Sequence, residues 1–143
     1  MRVRDYSRRP GALGPVMMRD AARHADIWNS LSFHASFEEL DETRRRAELM
    51  VEYCAALGRE PGTLRRSYTM VDAAARPRGG SIDYYDSVDR FEEMVNRVID
   101  LGMDEVGLYY PLDARQVPTF ERIATDVLPR LRGVGRPSTS ADR

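Results

Sequence analysis

Apolar residues along this chain recur at helical spacing in four stretches, and short β-rich runs separate them. Met17, Met18, Ala21, Ala22 and Ala25 give the first stripe and predict a helix from Pro15 to His24. Pro15 suits a first helical position because its missing N–H would be unpaired there anyway. The run Ala25–Ser30 reads as a strand closed by Trp28 and Asn29. The second helix is the most strongly marked. Ser36 and Glu39 form a capping box, Phe37, Leu40, Ala47, Met50, Val51, Cys54 and Leu57 form the buried stripe, and Gly58 stops it. Arg59–Leu64 reads as a turn, and Arg66–Val71 as the next strand. Residues 72 to 86 form the longest loop, since Pro77 and Gly79-Gly80 exclude a regular element. A third helix from Asp86 or Ser87 to Leu101 buries Val88, Phe91, Met94, Val95, Val98 and Ile99, and Gly102 stops it. The strand Glu105–Tyr110 follows. A fourth helix starts near Pro118 and turns Phe120, Ile123, Ala124, Val127, Leu128 and Leu131 inward. Pro129 is expected to kink or fray its last turn.

Strand and helix alternate strictly, which implies parallel strands with helical crossovers and an α/β fold. The architecture this suggests is the (β/α)8 TIM-type barrel of about 250 residues. Only three strand–helix units are present, so the expectation is an incomplete barrel: the C-terminal three units of a larger enzyme. In that setting the loops after the strands, 72 to 86 above all, lie at the catalytic face. Residues 1 to 10 carry four arginines and no periodicity and are expected to be a disordered start. Residues 11 to 132 form the barrel part, and residues 133 to 143 a disordered tail.

Composition narrows the function classes. Hydrophobic content is 42% and charged content 31%, which fits a soluble globular chain. No apolar run approaches the roughly 20 residues of a membrane span, and no apolar segment follows the charged N-terminus as a secretory signal requires. Cys54 is the only cysteine, so no internal disulfide can form; this fits the cytoplasm. All 22 basic residues are arginine, a usage that reflects genome composition rather than chemistry. The 23 acids balance them to a net charge of -1, and nucleic-acid binding would need a clustered basic excess.

The best candidate for chemistry is the turn Gly11-Ala12-Leu13-Gly14-Pro15. Backbone amides of a glycine-rich turn at a helix start point outward unpaired, and with the helix dipole they favour a phosphate. The competing reading is a plain turn with a proline-initiated helix. Trp28 and Asn29, at a strand end, would line the barrel mouth; Trp28 could equally fill the core. Tyr109, Tyr110 and Asp113 follow the last strand as loop-face residues, or pack as ordinary strand ends. His24 and His34 lack companions at ligand spacing, so no metal site is expected. Cys54 lies on a buried stripe and reads as a packing residue. No catalytic acid, base or nucleophile can be assigned.

Taken together, these segments resemble the bacterial luciferase-like monooxygenases, flavin- or deazaflavin-dependent oxidoreductases on a (β/α)8 barrel. Gly11–Pro15 resembles the family's Gly-Gly-x-Gly-Pro turn, with Ala12 at the second glycine. Met18–Asn29 is similar to its Ala-Ala-Arg-Tyr-Ala-Asp-Gly-Trp-Asn segment. Cys54–Pro61 is similar to a Gly-Arg-Asp-Pro helix end, and Phe91–Tyr110 with Val127–Leu131 to the closing strand and helix. The resemblance covers about residues 11 to 132 and implies that the three strands are the last three of eight. It implies that Gly11, Ala12, Gly14 and Pro15 contact the phosphate of FMN or of a deazaflavin coenzyme. A small organic substrate would be the other partner. Residues 1 to 9 do not resemble the strand expected before the turn, which suggests a truncated gene start. The isolated chain is then expected to be inactive and to self-associate through unpaired strand edges. Beside this reading stand a non-catalytic α/β association module and a truncated, inactive gene product.

Overall fold

Parallel pairing of three strands organises the chain. The computed structural model describes residues 14–32 and 37–132, which fall into two compact units. One comprises residues up to Val71 together with Val98–Leu108. The other comprises Asp72–Arg97 and the residues from Tyr109 on.

The first unit holds α1 (Pro15–His24), β1 (Ile27–Ser32), α2 (Phe37–Ala56), β2 (Arg65–Met70) and β3 (Glu105–Leu108). The sheet order is β1-β2-β3 and both pairings are parallel. The α/β class and the three parallel strands therefore stand as expected. Ile27 pairs with Arg65 and Ser32 with Met70; Ser67 pairs with Glu105 and Met70 with Leu108. Backbone bonds continue the ladder past the strand ends: the Arg65 N–H donates to Asp26 at 3.0 Å, and the Asp104 N–H to Arg66 at 2.7 Å. The Asp104 carboxylate accepts from the Arg66 N–H at 2.9 Å.

The strand boundaries differ from the sequence reading. β1 runs on to Ser32 because Ser30, Leu31 and Ser32 find partners in Tyr68, Thr69 and Met70, although two of the three are polar. Trp28 is thus the second residue of β1 and does not close it. β2 begins one residue early. β3 stops at Leu108, leaving Tyr109 and Tyr110 outside the sheet.

Side chains alternate across a strand. Trp28, Ser30, Tyr68 and Met70 are buried on one face, and Ser67 is buried on the other. Both α1 and α2 contact β1. Met18, Ala22, Ala47, Met50 and Cys54 supply the helical side of this core. Met17, Val51 and Leu57, expected in buried stripes, are 48%, 39% and 41% exposed. The stripes are narrower than the apolar pattern implied. Buried Thr43 takes a place on α2 that hydrophobicity alone could not assign. The capping residue Ser36 lies outside the described residues. α2 ends at Gly58, whose φ of 67° needs a residue without a Cβ.

In the second unit, residues 72–86 are not featureless. A hydrogen-bonded turn spans residues 73–80, and a single 3-10 turn spans Asp83–Tyr85 with Tyr84 and Tyr85 buried. α3 (Val88–Asp100) has its residues to Arg97 in this unit. The Ser87 hydroxyl caps it by accepting from the Arg90 N–H at 3.0 Å. The last helix is built in pieces: a 3-10 turn at Ala114–Gln116, α4 (Val117–Arg122), a π turn at Ile123–Val127, and α5 (Leu128–Arg132). The irregularity expected from Pro129 appears before it, not as fraying after it. A proline ring clashes with the carbonyl four residues back and offers no N–H to the helix ladder. The widened turn, in which the Leu128 N–H donates to Ile123, accommodates it. The Arg130 side chain then donates to the Asp126 carbonyl at 2.8 Å.

The Thr43 hydroxyl is fully buried and has no hydrogen-bond partner. An unsatisfied buried polar group costs about 1–3 kcal/mol. Thr43→Val, which keeps the branched shape, should therefore raise stability by about 1 kcal/mol in urea denaturation. A loss of stability would show that the hydroxyl carries a bond.

Candidate functional site

Three places were marked by the sequence: the turn at residues 11–15, the pair Trp28–Asn29, and the residues after the last strand. The structure places them differently.

Gly11, Ala12 and Leu13 lie outside the described residues. Gly14 is the N-cap of α1, with φ -76° and ψ 157°, and is buried; Pro15 is exposed at the first helical position. The Met18 N–H donates to the Gly14 carbonyl at 2.9 Å, closing the first helical turn. No side chain caps this helix and no acid sits in its first turn. Among the described residues no acid stands in this first turn, and a phosphate dianion is chemically compatible with that end. The opposite end carries Arg23 and His24, matched to the negative pole. The Arg59 guanidinium adds a bond to the Ala22 carbonyl at 3.0 Å.

Trp28 is 3% exposed near the beginning of β1. It packs in the core, one of the two places open to it from the sequence. Asn29 points the other way, onto the opposite face of the sheet. Its amide nitrogen donates to the Ser67 hydroxyl at 2.6 Å and to the Thr69 hydroxyl at 3.1 Å. Arg65 and Glu105 pair on the same face at 2.8 Å. Gly107 leaves the backbone open beside Thr69, whose hydroxyl would stand 3.4 Å from a Cβ placed there. Asn29, Ser67, Thr69, Arg65 and Glu105 thus form a polar floor on this face of the sheet. Sequence reasoning singled out Asn29 alone. The alternation of polar residues in Arg65-Arg66-Ser67-Tyr68-Thr69-Met70 was the available signal for the rest.

Residues Tyr109, Tyr110 and Leu112, in the second unit, are 49%, 62% and 60% exposed. Their loop is anchored from below. The Tyr85 hydroxyl donates to the Tyr109 carbonyl at 2.6 Å. Gln116 accepts from the Ile82 N–H and donates to the Ile82 carbonyl, both at 2.8 Å, and donates to Asp86 at 3.0 Å. Asp72 ties down the preceding loop by accepting from the Ala74 and Asp83 N–H groups, both at 2.9 Å, and from Arg78. Asp113 accepts from the Arg115 backbone at 2.9 Å and pairs with its guanidinium at 2.7 Å. These hydrogen bonds to Arg115 hold the Asp113 carboxyl below the usual range. Asp72, Gln116 and Tyr85 are the positioning residues that sequence reasoning missed. Only the unusual Tyr-Tyr pair within a loop hinted at them.

Among the described residues, no group of three potential ligands could hold a metal ion. None of the described helices is long and apolar enough to cross a membrane. Cys54 is buried; it borders a small depression with Met50, Val51, Pro61, Leu64 and Arg66.

Two predictions follow from the second unit. Gly79 and Gly80 both have positive φ, 71° and 87°. A Cβ on Gly79 would meet nothing within 4 Å, whereas one on Gly80 would stand 3.1 Å from the Leu112 Cβ and 3.3 Å from its carbonyl carbon. Gly79→Ala should cost about 1 kcal/mol, the price of the left-handed conformation alone. Gly80→Ala should cost about 2–3 kcal/mol, because Leu112 must also move. Equal losses in chemical denaturation would show that Leu112 yields freely. The other prediction concerns pH. Burial pushes the Tyr84 phenol up to about 12, and burial pushes Tyr85 higher still. In the unfolded chain both ionise near pH 10. Their contribution to stability is therefore complete below about pH 10 and lost as pH rises toward about 12. Denaturant midpoints should fall between about pH 10 and pH 12, and less steeply in Tyr84→Phe. A flat profile would contradict the burial of these hydroxyls.

Compared with protein-family models, with characterised proteins and with solved structures, the chain has no match in any of the three.

Proposed function

We propose that this chain is the C-terminal part of a luciferase-like flavin-dependent oxidoreductase, its three strands being the last three of a (β/α)8 barrel. The observation that carries the reading is a parallel three-strand sheet, in chain order, with the polar residues Asn29, Ser67 and Thr69 together on one face. Parallel sheets occur almost only with both faces covered. A barrel strand meets that rule in a particular way, with helices outside and side chains of the other strands inside. β1, β2 and β3 are neighbours in chain order, as barrel strands are. A doubly wound sheet would instead reverse its order at a switch point. The polar floor of Asn29, Ser67 and Thr69 then faces the barrel interior.

In this reading the start of α1 receives the cofactor phosphate. Gly14 and the residues after Pro15, which has no N–H of its own, supply backbone N–H groups, and the uncapped first turn supplies the dipole. FMN or a deazaflavin, when bound, would supply the hydride or oxygen chemistry; the chain's own groups bind and orient it. The residues support no assignment of a catalytic acid or base.

The test is titration of the purified chain with FMN, read by amide chemical shifts. Gly11 and Gly14 should move first, inorganic phosphate should compete, and no flavin-dependent NADH oxidation should appear. Unshifted glycine signals at millimolar FMN, in a folded sample, would sink the phosphate site.

A second reading is favoured by the two sheet edges, β1 and β3, each unpaired on one side among the described residues. Such edges suit an association module. A stable, colourless oligomer in size-exclusion chromatography, unaffected by FMN, would favour it over the enzyme.

A further inference from the structure

We propose that Tyr109, Tyr110 and Leu112 form a binding platform for a small, uncharged, planar aromatic molecule. The inference needs neither the barrel nor the flavin, because every group it uses belongs to the second unit.

Three large apolar side chains stand exposed within four consecutive positions, at 49%, 62% and 60%. Exposed apolar patches of this kind on a soluble chain mark interaction sites more often than isolated residues do. The patch is held rigidly. The Tyr85 hydroxyl fixes the Tyr109 carbonyl, Gly80 fits against Leu112 with no room for a side chain, and Gln116 bonds the loop beneath. A binder presented on a fixed backbone loses little conformational entropy when it engages a ligand.

The ring geometry selects the ligand. Phe91 lies against Tyr85 at 6.3 Å, Tyr85 meets Phe120 edge-on at 5.6 Å and 86°, and Phe120 meets Tyr110 at 5.1 Å and 70°. This series of rings leads from fully buried Phe91 to exposed Tyr110, where it stops. One more aromatic ring continues it with the same offset or edge contacts. Charge selects further. Asp113 and Arg115, next to the patch in sequence, neutralise each other in a two-bond pair, so they offer neither pole to an ionic ligand.

Size selects against a protein partner. At their stated exposures the three side chains offer on the order of 300–400 Å², given about 150–250 Å² for a whole aromatic side chain. A stable protein interface takes about 800 Å² from each partner. The patch is too small for that and large enough to seat a small aromatic molecule.

The experiment is binding of 2-naphthol to the full chain near neutral pH, followed by saturation-transfer NMR. Tyr110→Ala and Leu112→Ala should each weaken binding about fivefold, the range expected for one aromatic or apolar contact. Tyr110→Phe should bind as the parent does. Val16→Ser, which alters an equally exposed apolar residue in the first unit, should leave the affinity unchanged. All variants are surface changes whose folding is checked by circular dichroism. No binding at millimolar probe overturns the proposal, and so does an unchanged affinity in Tyr110→Ala. Loss of equal size in Val16→Ser would mean non-specific adsorption and overturns it too. A dimer in sedimentation equilibrium that Leu112→Asp abolishes would give the patch to a second copy, again overturning the small-molecule assignment.

Discussion

The backbone ladder of β2 is what the first unit depends on. Among the described residues it is the one strand paired on both sides, and each pairing requires the chain to leave and return through a helix. Parallel pairing is only as good as the crossover that enforces it. α2 meets that demand between β1 and β2, with Met50 and Cys54 buried in the same core as Trp28 and Tyr68. Apolar burial on one face thus fixes register, and register in turn sets which residues look out from the other. A slip of one residue would exchange Tyr68 for Thr69 and expose the core. Asn29, Ser67 and Thr69 are brought together by this constraint alone, from segments 38 and 40 residues apart.

The second unit solves a different problem. Its loop from Asp72 to Asp86 has few apolar residues and no strand or long helix to use its polar backbone. Side chains take over that role. Asp72, Gln116 and Tyr85 each bond to backbone groups that would otherwise be stranded near a buried aromatic cluster. Buried polar groups of this kind are stabilising only when every partner is present. The two positive-φ glycines at the loop's tip let it close. Rigidity here comes from hydrogen bonds made by a few side chains, whereas in the first unit it comes from the ladder.

How far the sequence was legible follows from these two modes. Helical periodicity located α1, α2 and α3, and the glycines Gly58 and Gly102 marked their ends, since those signals are local. The parallel three-strand plan was readable from the alternation of elements. Strand limits were not, because Ser30 and Ser32 join β1 through partners 38 residues away, which no local pattern reveals. Trp28 was open to two assignments for the same reason: its burial depends on which way an undetermined register turns it. Of the turn at residues 11–15, Gly14 and Pro15 sit at the start of a proline-initiated helix as their types suggested. Gln116 and Asp72 were invisible, since polar residues in loops look alike until their backbone partners are known.

The π turn at Ile123–Val127 has a consequence for how the last helix can be read. It contains one residue more than a regular turn would, and each helical residue rotates the chain by about 100°. Everything after it is therefore phased differently from everything before. A stripe drawn at uniform spacing through Phe120, Ile123, Val127, Leu128 and Leu131 does not describe one face. Ile123 and Val127 are buried, while Phe120, Leu128 and Leu131 are only partly so. Excising one residue between Ile123 and Val127 is then the change that would bring the two halves back into a common phase, with Pro129 left as the obstacle to an uninterrupted helix.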